Sequence, residues 1–296
     1  MTTSVPQVFV VTGATGFTGP FVIRALRHRF PDARLRVVVR DPSRVDRIGA
    51  PGLEVATADL RDEAAMADGF AGADVLVNVA SLGFDWNRSV IGAARTAGIE
   101  RGIFIGTTAM LTKLAVASRS VREEGERLVQ ESGMAWTLLR PTMIYGTPED
   151  RNIVRLLRFV SKSPIVPLAG GSARQQPVHV ADVAEAVAGA LASPVTINRA
   201  YNISGAAPLT LRELVLEAAA AVGRRPILLP IPLAPIAWTA DVWRRVGRPP
   251  LSGEQIRRIG EDKAFDHHDA ALDFGFAPRT FRDGVRAEAA MLGRRA

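Results

Sequence analysis

The feature that most constrains this chain stands near its start. An apolar, β-branched run, Gln7–Thr12, is followed at once by Gly13-Ala14-Thr15-Gly16-Phe17-Thr18-Gly19. A helix is expected next, over Thr18–Phe30, with Pro20 in its first turn and Pro31 as its stop. The glycines are spaced as GxxGxxG. Gly13 can turn without the penalty of a Cβ. Gly16 leaves room for the backbone to approach an anion, and Gly19 lets helix and strand pack closely. The N–H groups and positive dipole end of the helix then face that anion. A purely structural glycine turn would share this composition, but the strand–turn–helix order favours a pyrophosphate cradle.

Strands and helices go on alternating. Further strands are predicted at Leu35–Val39, Leu53–Ala56, Val75–Val79, Ile103–Ile105 and Trp136–Leu139, with helices at Asn87–Thr96 and Val121–Glu131. Near-continuous Val/Ile/Leu strands between helices predict an α/β fold with a parallel sheet buried on both faces. The second half changes character. Helices are expected at Ile153–Val160, Val183–Leu191 and Leu211–Val222, and a seventh strand at Ala200–Ile203. Thr210 and Glu213 have capping-box spacing, and Gly223 is a stop. The expected division is a nucleotide-binding domain over 1–145 and a smaller C-terminal substrate lobe over 146–296, from which about 178–204 returns to the main sheet.

Composition excludes several chemistries. The absence of cysteine removes disulfides, iron–sulfur clusters, thiolate zinc sites and thiol nucleophiles. Four histidines make a His-rich metal site unexpected, and His267-His268-Asp269 reads as a helix start. The net charge is +7, and only three of the basic residues are lysines. The densest basic patch, Arg24 to Arg47, comes without a helix-turn-helix, zinc-finger or aromatic RNA-binding signature, so no nucleic-acid partner is expected. The apolar stretch from Pro226 to Trp243 holds Pro226, Pro230, Pro232 and Pro235, which argues against stable membrane insertion and leaves a lid, ordinary lobe core or a membrane-touching face open. MTTSVPQ carries no basic residue, so a cytoplasmic protein, monomer or homodimer, is expected.

The second strand ends at Arg40-Asp41-Pro42. An acidic residue at that tip would chelate ribose hydroxyls, whereas Arg pairs with a 2′-phosphate. Arg40, with Arg44 as a second partner, therefore favours NADP(H) over NAD(H). Asp41, one residue late and before Pro42, reads as a turn residue. Asp59 can accept from an adenine amino group or cap a helix.

Together TGATGFTG, VVVRDP, ADLRD, WTLLRPTMIYG (Trp136–Gly146), PVHVADVAEAV (Pro177–Val187) and LDFGFAPRTFRDGV (Leu272–Val285) resemble the extended or atypical short-chain dehydrogenase/reductase superfamily, in its epimerase/dehydratase and NmrA-like branches. The resemblance spans nearly the whole chain. It implies a Rossmann-type doubly wound parallel sheet, a bound nicotinamide nucleotide with a small substrate lobe closing over it, and a cofactor site drawn from Gly13, Thr15, Gly16, Phe17, Gly19, Arg40, Asp59, Leu60, Ala80, Thr107, Arg122 and Pro141.

Active members carry a Ser/Thr and a Tyr-xxx-Lys pair, in which Tyr is the general acid/base. This chain has two tyrosines. Tyr145 is followed four positions on by Glu149 and Tyr201 by Gly205, so neither is Tyr-xxx-Lys. By position the pair falls near Ser118 and Arg122, and an Arg there can hold a ribose but cannot give up its proton. Thr108 matches the catalytic Ser/Thr, or else bonds backbone or cofactor at the strand end with Thr107. Tyr145 and His179 are the remaining candidates to move a proton, with packing roles as their alternatives. Lys113 is a more distant one. Ser81, Phe84, Met110, Asn152 and Trp238 are the candidate substrate walls. Three functions stay open: an NADP(H)-dependent oxidoreductase or epimerase-like enzyme on a small carbonyl or hydroxyl substrate, an NmrA-like NADP(H) sensor or scaffold, and a non-redox cyclase or isomerase.

Overall fold

A computed structural model of the chain describes residues 7–111, 119–232 and 260–293. The described residues form two compact units. The first runs to Pro141 and also takes in Val180–Ile203 and His267–Ala277. The second draws on the described parts of Thr142–His179, Ser204–Asp266 and Pro278–Ala296. The sequence reading anticipated a return near 178–204 but had no signal for the His267–Ala277 excursion.

The first unit holds β1 (Val8–Thr12), β2 (Arg34–Val39), β3 (Glu54–Thr57), β4 (Val75–Asn78), β5 (Arg101–Ile105), β6 (Ala135–Pro141) and, much later in the chain, β11 (Arg199–Ile203). They make one seven-stranded sheet in the order β11-β6-β5-β4-β1-β2-β3. Every neighbouring pair is parallel. Compared with the sequence reading, β3 starts one residue later and β5 two residues earlier. The chain leaves β1 in one direction for β2 and β3, then returns to lay β4 on the other side. That reversal opens a crevice at the carboxyl ends of β1 and β4, where ligands bind in such sheets.

All five residues of β1 are buried, as a strand covered on both faces requires. On one face Val10, Val38, Leu76, Phe104 and Leu138 form a single core with Met66, Phe70, Val90 and Ala93. Those last four come from α2 (Glu63–Phe70) and α3 (Asn87–Thr96). Each large side chain fully buried there contributes about 1.5–3 kcal/mol. α1 (Gly19–Arg29) packs with α6 (Val180–Ala192), and α4 (Arg119–Gln130) lies against α3.

In the second unit α5 (Ile153–Lys162), α7 (Leu211–Ala221) and α9 (Phe281–Gly293) surround a core of Tyr145, Ile153, Leu157, Leu214, Phe281 and Val285. α8 (His268–Phe274), in the first unit, has His267 as its N-cap residue, as the sequence implied. The expected capping box is present on α7: Thr210 Oγ1 accepts from the Glu213 N–H at 3.1 Å, and the Glu213 carboxylate accepts from the Thr210 N–H at 2.8 Å. Short strand pairs complete this unit. β7 (Ile144–Tyr145) runs parallel to β10 (Val178–His179), and β9 (Arg174–Gln175) antiparallel to β12 (Leu209–Thr210). β8 (Ile165–Ala169) pairs in parallel with β13 (Ile227–Ile231).

Candidate functional site

The glycine turn sits at the β1/β4 reversal. Gly13 has φ +70°, a left-handed conformation that glycine adopts without strain. A Cβ on Gly13 would also lie 2.6 Å from the Ala80 amide nitrogen, so the turn and the end of β4 touch backbone to backbone. A Cβ on Gly19 would overlap the Ala14 carbonyl. Gly16 N–H donates to Gly13 O at 3.0 Å and closes the turn. At α1 no side chain caps the N-terminus, and its first turn carries no acidic residue. An uncapped helix end over a turn with glycine at 13, 16 and 19 fits a dinucleotide pyrophosphate.

A buried chain of hydrogen bonds fixes the crevice. The Thr12 hydroxyl donates to Asn78 Oδ1 at 2.5 Å, and the Asn78 amide donates to Ala80 O at 3.0 Å. The Asn87 amide, also buried, donates to Leu82 O at 2.8 Å and Phe84 O at 2.9 Å, holding the loop after β4. Sequence reading missed both asparagines. A signal for them lay in Asn at the end of an otherwise apolar strand and at a helix start, positions where a buried amide needs a dedicated partner.

Beside the turn lies a cavity of about 220 Å³ lined by Thr15, Arg40, Asp41, Arg44, Asp59, Leu60, Arg61 and Trp86, among others. Arg40 and Arg44 are exposed at its mouth. Asp41 is committed elsewhere: it accepts from the Ser43 hydroxyl at 2.7 Å and the Ser43 N–H at 3.1 Å. The Ser43 hydroxyl holds the Asp41 carboxyl below its usual range, aided by Arg44 and Arg47. Asp41 caps the Pro42–Ile48 turn, the turn role the sequence suggested. Asp59 accepts from the Arg61 N–H at 2.9 Å, while the cap of α2 is Asp62. The Arg61 guanidinium lies over the Trp86 ring, 5.3 Å from its centroid, and pairs with Asp85 at 3.1 Å. Phe84, expected as a substrate wall, is exposed and stacks on Trp86 at 4.3 Å.

At the β5/β6 end, Thr108 is buried and its hydroxyl donates to Pro141 O at 3.3 Å. Thr107 is half-buried, and its hydroxyl accepts from the Ala109 N–H at 3.2 Å. Met110 follows in the same short turn. Ser81 Oγ accepts from the Gly83 N–H at 3.1 Å. The Arg122 side chain of α4 lies against Gly83, its Nε 3.5 Å from where a Cβ would stand. One turn further along α4, buried Glu126 pairs with Arg140 of β6 at 2.6 Å and locks the helix to the sheet. Ser118, Lys113 and Trp238 lie outside the described residues.

Tyr145 and His179 belong to the second unit. Tyr145 is 1% exposed in that unit's core, and its hydroxyl donates to Phe281 O at 3.4 Å. Gly284 of α9 lacks a Cβ where the Tyr145 hydroxyl sits. The His179 ring meets Tyr145 edge-on at 5.4 Å. Burial, with the charge of Arg279, pushes the His179 imidazole down to about 4. One helical turn beyond Gly284, burial and the neighbouring Asp150 push the Glu288 carboxyl up to about 9. Asn152 also lies in the second unit, where it opens α5.

The NAD(P)H-binding family model matches residues 13–194, from the glycine turn past the end of α6. The chain belongs to the NAD(P)H-binding family. The fold of its structural likenesses, quinone oxidoreductases and epimerases, is consistent with the extended or atypical short-chain dehydrogenase/reductase superfamily that its motifs resemble. It is 28% identical over 218 residues to quinone oxidoreductase 2 of Escherichia coli, covering 71% of this chain and 73% of that one. It is 26% identical over 304 residues to an NAD(P)H azoreductase of Xenophilus azovorans, covering 97% and 99%. In fold it is similar to the crystal structure of an NADPH-dependent quinone oxidoreductase from Escherichia coli complexed with NADPH, with TM-score 0.75, 24% identity and coverage of 94% and 98%. Family members bind NAD(P)H, and the glycine turn with the open end of α1 is where this chain's residues fit it.

Proposed function

We propose that the protein is an NADPH-dependent reductase of electron-poor, conjugated acceptors of the quinone or azo class. The observation that carries this reading is the mismatch between a fully built nucleotide cradle and a site without the usual phenol. The chain's two tyrosines, neither followed by Lys at the fourth position, are both buried, Tyr145 at 1% and Tyr201 at 2% exposure. The relatives named quinone oxidoreductase and azoreductase support the same class.

Chemistry explains why such a site suffices. The bound nicotinamide supplies a hydride. A quinone that takes up a hydride leaves a phenolate, whose conjugate acid has a pKa of about 10, as for tyrosine. An isolated ketone would leave an alkoxide about as basic as hydroxide, whose conjugate acid, water, has a pKa of about 15.7. The first product can take its proton from water; the second needs a positioned acid worth about 10²–10⁴ in rate.

The residue roles follow. The glycine turn and α1 hold the pyrophosphate. Arg40 and Arg44 take the 2′-phosphate, which favours NADPH because Asp41 is tied to Ser43. Asp59 and Leu60 border the adenine. Arg122, braced by the Glu126–Arg140 pair, offers its charge on the nicotinamide side. Thr108 turns its hydroxyl from Pro141 O, a bond at the weak end at 3.3 Å, toward the acceptor oxygen. Tyr145 and His179 take no part; they pack the second unit.

The test is NADPH consumption followed at 340 nm with a naphthoquinone, an azo dye, a simple ketone and an aldehyde. The expected result is turnover of quinone or dye with kcat/KM roughly a hundredfold or more above the ketone. Tight NADPH binding without turnover of any acceptor would overturn this reading in favour of a sensor.

A further inference from the structure

The two-stranded sheet of β8 and β13 breaks the usual rule for a sheet edge. An outlying sheet normally packs one face on the core and shows polar side chains on the other. Here both faces are apolar. Val166 and Leu168, with Leu228, pack inward on Val160, Val215 and Ala219. The parallel register pairs Ile165 with Ile227 and Pro167 with Leu229, so these four share the opposite face. That face is open: Ile227 is 69% exposed, Leu229 54% and Ile165 49%. Phe159, from the last turn of α5, is exposed as well.

Charge frames this face in one sign. Because the strands run parallel, their starts lie together, joined by the Ile227 N–H donating to Pro164 O at 2.8 Å. Lys162 precedes one strand, and Arg224 and Arg225 precede the other; all three are exposed. Arg158 is exposed one turn earlier on α5. The stretches 151–169 and 218–232 contain no Asp or Glu. Next to these helix ends is an apolar groove of about 630 Å³, lined by Leu157, Val222 and Leu292 and carrying Arg158 and Arg286.

We propose that this face is a docking surface for an anionic lipid bilayer. Exposed Ile, Leu, Phe and Pro side chains enter the headgroup region, and the basic end pairs with lipid phosphates. Exposed apolar patches of this kind mark binding surfaces. A purely apolar patch would suit many partners, whereas an apolar face with an acid-free basic rim suits a negative surface above a hydrocarbon phase. Attachment is peripheral, for among the described residues no helix is long and apolar enough to cross a membrane. The inference stands apart from the reductase reading, since no residue of the nucleotide site takes part in it.

The experiment is co-sedimentation of the full chain with vesicles of phosphatidylcholine alone and of phosphatidylcholine with phosphatidylglycerol. The wild type is expected to pellet with the anionic vesicles, weakly with the neutral ones, and to be released by high salt. Each neutralised basic residue should lower binding about fivefold, so Arg224→Gln/Arg225→Gln should bind roughly 25-fold more weakly. Ile227→Ser/Leu229→Ser should lose binding while keeping NADPH affinity, which shows that the variant is folded. Equal pelleting with both vesicle types, or unchanged binding by both double variants, would overturn the proposal. So would a wild-type dimer that Ile227→Ser/Leu229→Ser converts to monomer, since the face would then serve a second copy. A large fall in melting temperature in that variant would also overturn it, because the chain itself would then cover the face.

Discussion

α1 and α7 are both eleven-residue helices, and they begin in opposite ways. α7 closes its own end. Thr210 and Glu213 satisfy each other's backbone donors, and the Glu213 charge sits where the helix dipole favours it. α1 has Thr18 at its start with no side-chain cap, no acid in its first turn, and Pro20 in place of one donor. A chain able to build a full capping box in one place has left the other end open. The open end lies at the crevice, where a ligand phosphate would supply what a side chain otherwise provides.

Gly19→Val challenges this contrast most severely. Its side chain would collide with the Ala14 carbonyl, and overpacking of about 3 kcal/mol or more should weaken NADPH binding by a hundredfold or more in a fluorescence titration. Second, if the open end is completed by ligand, NADPH at a hundred times its Kd should stabilise the fold by about 2.7 kcal/mol. That should appear as a rise of several degrees in melting temperature, and no rise would remove the contrast. Third, Arg40→Asp should cut the NADPH-to-NADH affinity ratio by roughly tenfold or more, as expected for a lost charged hydrogen bond of about 1.5–3 kcal/mol. An unchanged ratio would assign 2′-phosphate recognition to other residues. The smallest effect belongs to the closed helix. Thr210→Ala should lower stability by about 1 kcal/mol, read in urea denaturation, and leave NADPH affinity unchanged.

These two helix ends also show what a sequence can disclose. Gly13, Gly19, Thr210 and Glu213 were legible because their roles are local: a turn, a close approach and a cap all act within a few residues. The strand series was legible for the same reason, since β-branched runs between helices admit few arrangements. Tyr145 was read as a candidate for proton transfer because it carries a phenol just beyond the sixth strand, and His179 because it is the histidine nearest the expected cleft. Their surroundings include Phe281 and Gly284, far away in sequence, and no local pattern announces that packing. The apolar outer face of β8 and β13 needed the register of two segments about sixty residues apart.

The edge strand β11 has a consequence for how the molecule is made. The Arg101 guanidinium at the start of β5 donates to Ala135 O at 2.5 Å, to Thr137 Oγ1 at 2.7 Å and to Thr196 Oγ1 at 3.1 Å. Thr196 and β11 leave the ribosome only after the chain has spelled out β7 to β10. Until then β6 keeps a raw margin of unpaired amides and carbonyls, and translation halted before Arg199 would yield a polypeptide ready to recruit strands from its neighbours.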